Sequence, residues 1–255
     1  MNIISIIPAR MGSSRFPGKP MKDILGIPMI GHVYKRVSMS KTLNGVYVAT
    51  CDKEIFDYIE SIGGKAVMTS DSHERCTDRC AEAMLKIENE SEEKCDIMVI
   101  VQGDEPLTFP QMIDEAVKPM IEDNNVAITN LVADLDTINE FENPNEIKVV
   151  MDKNNNALYF SREPIPSRKK STSEVPMKKQ VCVIPFKRDF LLEYNKMEQT
   201  PLEISESVDM MRILENGGKV KMCETNYKTK AVDTLEDLEL VKQMMKKDKL
   251  FGSYK

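Results

Sequence analysis

The sequence predicts an α/β chain: a doubly wound, mostly parallel sheet carrying an inserted β-hairpin and loop sub-region. Three observations predict it. Apolar runs of strand length alternate with helix-period segments through the first half of the chain, and again near its end. Glycines and prolines punctuate the ends of those segments. The first strand runs straight into a glycine-bearing, cationic loop, and open parallel sheets bind ligands beyond the carboxyl ends of their strands.

The elements follow in order. Ile3 to Ile7 reads as a buried strand, and Met29, Ile30, Val33 and Val37 mark one face of a helix. "GVYVATC" (45–51) is a second strand, and "KEIFDYIESIGG" a helix closed by a glycine pair. "KAVMT" is a short strand, followed by a helix over "TDRCAEAMLKIE". "DIMVIVQ" (96–102) is a buried strand, and "FPQMIDEAVKPMIED" a helix with proline near its start. The rhythm breaks between about 130 and 190, where "IKVVMDKNNNALYFS" predicts a hairpin around an Asn-rich turn and "SRKKSTSEVPMKK" a polar loop. It resumes with one helix over "LEISESVDMMRILENGG", a strand at "KVKMCE", and a closing helix over "DTLEDLELVKQMMKK" capped by Thr234 with Asp237 three residues on. One domain over 1–255, with about 130–190 as its inserted sub-region, is the expected organisation.

Composition narrows the function. A net charge of −6 argues against general nucleic-acid binding, so a bound anion must be held by a local cluster of cations. Tryptophan is absent, and no run approaches the length of a membrane span. The opening "MNIISIIPAR" has no basic region followed by a long apolar one, and six scattered cysteines suit free thiols, so a cytoplasmic enzyme is expected. With two histidines and no G-x-S-x-G elbow, triad hydrolysis is disfavoured. "HERCTDRC" contains no C-x-x-C and reads as helix-face cysteines in preference to a zinc site, and His32 reads as packed or surface-lying, not as a base.

The loop "PARMGSSRFPGKP" carries the chemistry. Gly12 and Gly18 let backbone approach a ligand, Ser13 and Ser14 offer small donors, and Arg10, Arg15 and Lys19 bring three positive charges, which suits a triphosphate better than one carboxylate. It is not a P-loop: five residues separate Gly12 from Gly18, and Lys19 is followed by Pro20. Nor does it match G-x-G-x-x-G. "VQGDEP" sets Asp104 and Glu105 after a buried strand at the same sheet edge, where a carboxylate suits Mg²⁺ or simply a turn. Asp233 taken alone reads as an acidic residue placed favourably before a helix.

These residues together resemble the sugar-acid cytidylyltransferases, most closely the 3-deoxy-manno-octulosonate (Kdo) cytidylyltransferase family. "IIPARMGSSRFPGKPMKDILGIPMI" looks like the family's opening, and the likeness continues through "VATCDKEI", "CTDRCAE", "VQGDEPL", "NPNEIKVVMD", "ALYFSREPIP", "PLE" and "AVDTLEDLE". The resemblance implies a nucleotide-diphospho-sugar transferase-like fold and transfer of CMP from CTP to an acidic sugar. It implies nucleotide contacts from Pro8, Ala9, Arg10, Gly12, Ser13, Ser14, Arg15, Lys19, Thr77, Arg79 and Gln102. Catalytic roles fall to Arg10, Lys19, Asp104 and Asp233, with both aspartates binding Mg²⁺, and sugar contacts to Arg162, Gln180, Glu203 and Arg212. Thr77 also reads as a helix cap, and the arginines and Glu203 as ordinary ion pairs. A homodimer through the 130–190 region and a product destined for lipopolysaccharide or capsule are also implied.

The chain departs from the family pattern in three places. Cys76 stands where glycine is usual, "QVCVIPF" puts Gln180 where a histidine is usual, and Ile204 follows "PLE" in place of another histidine. The last two fall in the sugar half, so the acid could be Kdo, an amino-substituted Kdo, another ulosonic acid or a phosphonate. A CTP-binding module without chemistry is the rival from another class.

Overall fold

The computed structural model describes residues 1–12, 16–170 and 175–255. Its first sheet runs in the order β11 (Val183–Lys187), β6 (Ile97–Val101), β1 (Ile3–Ala9), β4 (Gly45–Thr50) and β5 (Ala66–Met68). The last four are parallel and β11 is antiparallel to β6. All seven residues of β1 are buried, as expected of a parallel strand covered on both faces. Alternate side chains enter different cores. Ile4 and Ile6 pack with Met84 and Ile87 of α3 (Cys76–Ser91). Ile3 and Ile7 pack with Val33 of α1 (Met29–Val37), Ile55 of α2 (Lys53–Ser61) and Met112 of α4 (Pro110–Glu122). The helix faces read from 3.6-residue spacing are therefore the faces the sheet receives.

The middle of the chain builds more than a hairpin. A second sheet is ordered β12 (Lys221–Glu224), β7 (Thr129–Asp134), β10 (Lys178–Val181), β8 (Lys148–Met151) and β9 (Ala157–Ser161). The expected hairpin is β8–β9, with Asn155 left-handed at φ 57° and the Asp152 carboxylate accepting from the Asn154 and Asn156 amides. Strand β7 has no clean alternation, since five of its six residues are buried, and period alone did not reveal it. "QVCVIPF" also divides: the chain leaves β10 for the second sheet's neighbour, passes Cys182, and enters the first sheet as β11. The Gln102 amide donates to the Cys182 carbonyl at 3.3 Å, which ties this crossing to the end of β6.

The single helix expected over 202–218 is two, α7 (Pro201–Glu206) and α8 (Met210–Glu215), separated at left-handed Ser207 with φ 53°. The break turns Glu203 to face Arg212, an arrangement straight-helix spacing does not anticipate. Short helices α5 (Ile138–Glu142) and α6 (Arg188–Tyr194) and a small hairpin of β2 (Asp23–Ile24) with β3 (Ile27–Pro28) complete the connections. The last helix, α9 (Leu235–Lys247), starts at the expected box: Thr234 accepts from the Asp237 amide, and the Asp237 carboxylate accepts from the Thr234 amide.

Helix α9 lays Leu238, Val241 and Met245 onto Phe16, Ile24 and Met29. Behind it the Arg36 guanidinium is fully buried, paired with Asp248 and donating to the Tyr254 hydroxyl at 2.8 Å. His32 is equally buried between the Ile24 carbonyl and Tyr254, and burial lowers its pKa, so it is packed structure and not a base. A buried charge left without its partner costs about 3–5 kcal/mol. Asp248→Ala is therefore expected to lower unfolding free energy by about that amount, whereas Arg36→Met/Asp248→Leu recovers most of the loss. Urea denaturation of the three proteins measures it, and an unchanged Asp248→Ala midpoint contradicts it.

Candidate functional site

The site forms where β1 and β6 end. Gly103 follows β6, and a Cβ there would stand 2.7 Å from the Pro8 carbonyl oxygen, so the close approach of the two strand ends requires glycine. The loop leaving β1 is pinned at both ends. The Met11 amide donates to Asp52 at 2.7 Å, and the Gly18 amide returns to the Met11 carbonyl at 2.9 Å. Gly18 is left-handed at φ 70° and directs the chain into the turn that carries Lys19.

Lys19 is the hub. Its ammonium donates to Asp104 at 2.6 Å, to Asp233 at 3.2 Å and to the Val232 carbonyl at 3.2 Å. Burial alone depresses the Lys19 pKa, but the charges and hydrogen bonds of Asp104 and then Asp233 outweigh it, and the net shift is upward. The ammonium stays charged. Two hard carboxylate oxygens converge on the Lys19 ammonium. That donor set fits a divalent ion such as Mg²⁺, which takes few protein ligands and fills its shell with water and phosphate oxygens.

Around this hub lies a cleft of about 290 Å³ lined by Pro8, Ala9, Arg10, Gly12, Lys19, Pro20, His73, Glu74, Arg75, Cys76, Arg79, Gln102, Gly103 and Asp104. Arg10 is exposed there, whereas Arg79 is buried, donating to the Thr69 hydroxyl at 2.6 Å. Gln102 commits its amide nitrogen to the Cys76 sulfur at 3.2 Å. Burial pushes the Cys76 thiol up to about 12, so it is not a nucleophile at neutral pH.

A second cleft of about 210 Å³ adjoins the first, and the two share Glu74, Arg75, Cys76 and Gln102. Thr77, Ile147, Gln180, Cys182, Ser207, Val208 and Asp209 help wall it. Gln180 gives its amide nitrogen to Asn130 Oδ1 at 2.5 Å, and buried Asn130 spends its own nitrogen on the Val181 and Leu131 carbonyls. This chain of donors turns the Gln180 amide oxygen away from Asn130.

The residues expected to act therefore separate by place. Pro8, Ala9, Arg10, Gly12, Lys19, Arg79, Gln102 and Asp104 line the first cleft, and Asp233 joins them through Lys19. Thr77 and Gln180 line the second. Ser13, Ser14 and Arg15 lie outside the described residues. Arg162, Glu203 and Arg212 line neither cleft. Glu203 is fully buried and accepts from Arg212 Nε and Nη2 at 2.7 and 2.6 Å, the arrangement of an internal ion pair. Arg162 donates from its side chain to the carbonyls of Pro144, Glu206 and Ser207.

One residue and one orientation escaped the sequence. Arg75, next to "CTDR", stands in the wall common to both clefts, and no spacing marks it. Glu105 turns inward, where it accepts from the Thr229 hydroxyl.

A mostly parallel sheet whose strand ends present cations, a close-approach glycine and converging carboxylates defines a nucleotide-handling α/β enzyme. The family model described as cytidylyltransferase matches residues 4–248, and the chain belongs to that family. It is 42% identical over 257 residues to a 3-deoxy-manno-octulosonate cytidylyltransferase of Geotalea uraniireducens (strain Rf4), covering 97% of this chain and 100% of that one. It is 40% identical over 250 residues to one of Fusobacterium nucleatum, covering 98% and 99%. Among solved structures, a CMP:2-keto-3-deoxy-manno-octonic acid synthetase complexed with CTP superposes with a TM-score of 0.89 at 35% identity, covering 97% and 99% of the two chains. A putative glucose-1-phosphate thymidylyltransferase from Bacillus anthracis shares the fold, with a TM-score of 0.64 at 14% identity.

Burial pushes the Glu105 carboxyl up to about 7; the Thr229 hydroxyl opposes the rise and the Asp104 charge adds to it. The folded chain thus keeps a proton that the unfolded chain releases near its ordinary carboxyl pKa. That contribution to stability is present at acid pH and is lost as pH rises through about 7. In chelator-treated protein, wild type is expected to lose about 3 kcal/mol relative to Glu105→Gln between about pH 5 and about pH 8. Parallel pH profiles of urea stability for the two proteins contradict it.

Proposed function

We propose that this enzyme transfers a cytidylyl group from CTP to the anomeric hydroxyl of a 2-keto-3-deoxy sugar acid, Kdo first among them, and releases pyrophosphate. The observation that carries the reading is the full-length superposition on a synthetase holding CTP, with Lys19 and Asp104 lining the cleft at the strand ends and Asp233 paired to Lys19.

Phosphoryl-group transfer asks the protein for alignment and charge neutralisation more than for covalent help. The triphosphate lies where β1 ends, with Arg10 and Lys19 as its counter-charges and Gly12 in the same wall. Fixed cations there favour the departing pyrophosphate, because they stand where negative charge grows. Gln102, its nitrogen spent on Cys76, keeps its amide oxygen for a donor, and cytosine offers an exocyclic amine where uracil has an acceptor. The second cleft takes the sugar, with the Gln180 amide oxygen facing a donor on it. Asp104 and Asp233 would hold Mg²⁺, which when bound supplies Lewis-acid neutralisation of phosphate charge. The attacking hydroxyl forms the new bond to the α-phosphorus as the bond to the bridging oxygen of pyrophosphate breaks, and the hydroxyl proton is released to solvent.

Transfer to a different acid is a second reading, favoured by the neutral Gln180 in the second cleft and by Ile204, which is 61% exposed. A homodimer through the 130–190 region is supported by edge strand β9, where Leu158 is 61% exposed. A cytoplasmic place is supported by six free cysteines, and no helix among the described residues is long and apolar enough to cross a membrane. The Kdo reading implies a role in bacterial lipopolysaccharide or capsule assembly.

Pyrophosphate release with CTP, ATP, GTP and UTP against a panel of sugar acids tests the reading, with mass spectrometry of the CMP product. Turnover with CTP and Kdo is expected, and none with CTP and any acid overturns it. Asp104→Asn and Asp233→Asn are each expected to lower kcat by about 100-fold or more while the protein still binds CTP. CTP binding with no turnover by the wild type supports the non-catalytic module instead.

A further inference from the structure

The reaction proposed above imposes a distance, and among the described residues the cations assigned so far line one cleft or neither. In the ring form of a 2-keto sugar acid, one carbon bears both the attacking hydroxyl and the carboxylate. The hydroxyl must stand about 3–3.5 Å from the α-phosphorus. The carboxylate, on the same carbon, therefore arrives beside the phosphate, at the seam where nucleotide cleft and sugar cleft meet. Two anions drawn together in a partly buried place require a cation between or beside them.

The seam is walled by the residues common to both clefts: Glu74, Arg75, Cys76 and Gln102. Arg75 is the cation of that set. Lys19 and Arg10 line the nucleotide cleft without reaching the second, and Arg162 and Arg212 line neither. At rest the Arg75 guanidinium bonds Asp209 through Nη1 and stands 3.6 Å from Glu203, while Nε and Nη2 reach the turned Gln199 amide oxygen at 2.9 and 2.7 Å. Glu203 is matched independently by Arg212, so Asp209 is the carboxylate that depends on Arg75. The Arg75 side chain is still 24% exposed and lines both clefts.

We propose that Arg75 is a catalytic cation of this enzyme: its guanidinium binds the acceptor's carboxylate at the seam, alongside Asp209, and so aligns the anomeric hydroxyl with the α-phosphorus. The guanidinium suits this: of its five N–H donors, one on Nη1 holds Asp209 and one each on Nε and Nη2 hold Gln199, which leaves two for a carboxylate. The assignment rests on the cytidylyl-transfer reading and adds the residue that makes an acid, and not a neutral sugar, the substrate.

Arg75→Met alone strands Asp209 beside Glu203, so the decisive variant is Arg75→Met/Asp209→Asn, which removes one charge of each sign. Steady-state kinetics use CTP with Kdo and, separately, with Kdo carboxamide; calorimetry gives the CTP Kd. Wild type is expected to prefer Kdo over its carboxamide by about 100-fold in kcat/KM. In the double variant the KM for Kdo rises about 30-fold or more, the acid-over-amide preference shrinks to about threefold, and the CTP Kd stays within about threefold. Arg75→Lys keeps the charge beside Asp209 and loses the fork; kcat/KM falls about tenfold for Kdo and not for the carboxamide. A double variant that retains the wild-type preference overturns the proposal, as does an Arg75→Lys protein equally impaired on both acceptors. A wild type inactive on every acid sinks the parent reading instead, which separates the two failures.

Discussion

Three distant parts of the chain meet at the Lys19 ammonium, and the site depends on that meeting. Lys19 comes from the loop after β1, Asp104 lies 85 residues on at the end of β6, and Asp233 lies 214 residues on before α9. Each arm is braced. Gly18 gives the turn its left-handed entry, the Asp104 carbonyl accepts from the Val232 amide at 2.9 Å, and the Asp237 carboxylate accepts from the Asp233 amide at 3.1 Å. The capping box of α9 thus does two things: it starts the helix and holds a carboxylate toward the cleft.

Beside the second cleft, charge is balanced within the protein. Arg75 and Arg212 balance Glu203 and Asp209, and Arg212 also lies over the Tyr194 ring at 4.5 Å from its centroid. Such a network exerts little net field, and desolvation makes every member costly to remove singly. Most of it is scaffold. Only where Arg75 breaks the surface at the seam does the network present charge to a ligand. In a chain with a net charge of −6, cations are thereby concentrated where anions must be brought together.

The two sheets and the two clefts have a common cause. The chain crosses from β10 to β11 at Cys182, and the Gln102 amide is bonded to that crossing. The end of β6 consequently lines both clefts. Lys148 stiffens the far wall: its buried ammonium donates to the carbonyls of Asn143, Glu146 and Arg162, fastening the turn before β8 to the end of β9.

What the sequence determined alone is whatever depends on near neighbours. Strand and helix identity in the first half, the Asn-rich hairpin, the Thr234 cap and the cationic, glycine-bearing loop all arise from spacings of a few residues, and local physics is enough to read them. Asp104 was legible for the same reason, as a carboxylate just past a buried strand. The tertiary structure alone decided the rest, because it turns on which distant segments pair. It pairs β7 with β12 in parallel, divides "QVCVIPF" between two sheets, and bends 201–215 so that Glu203 meets Arg212. It also brings Asp233 to Lys19 and Arg75 to the seam. No period along a chain encodes those encounters, since burial of apolar faces against one another sets them and the polar side chains are carried to their places by that packing.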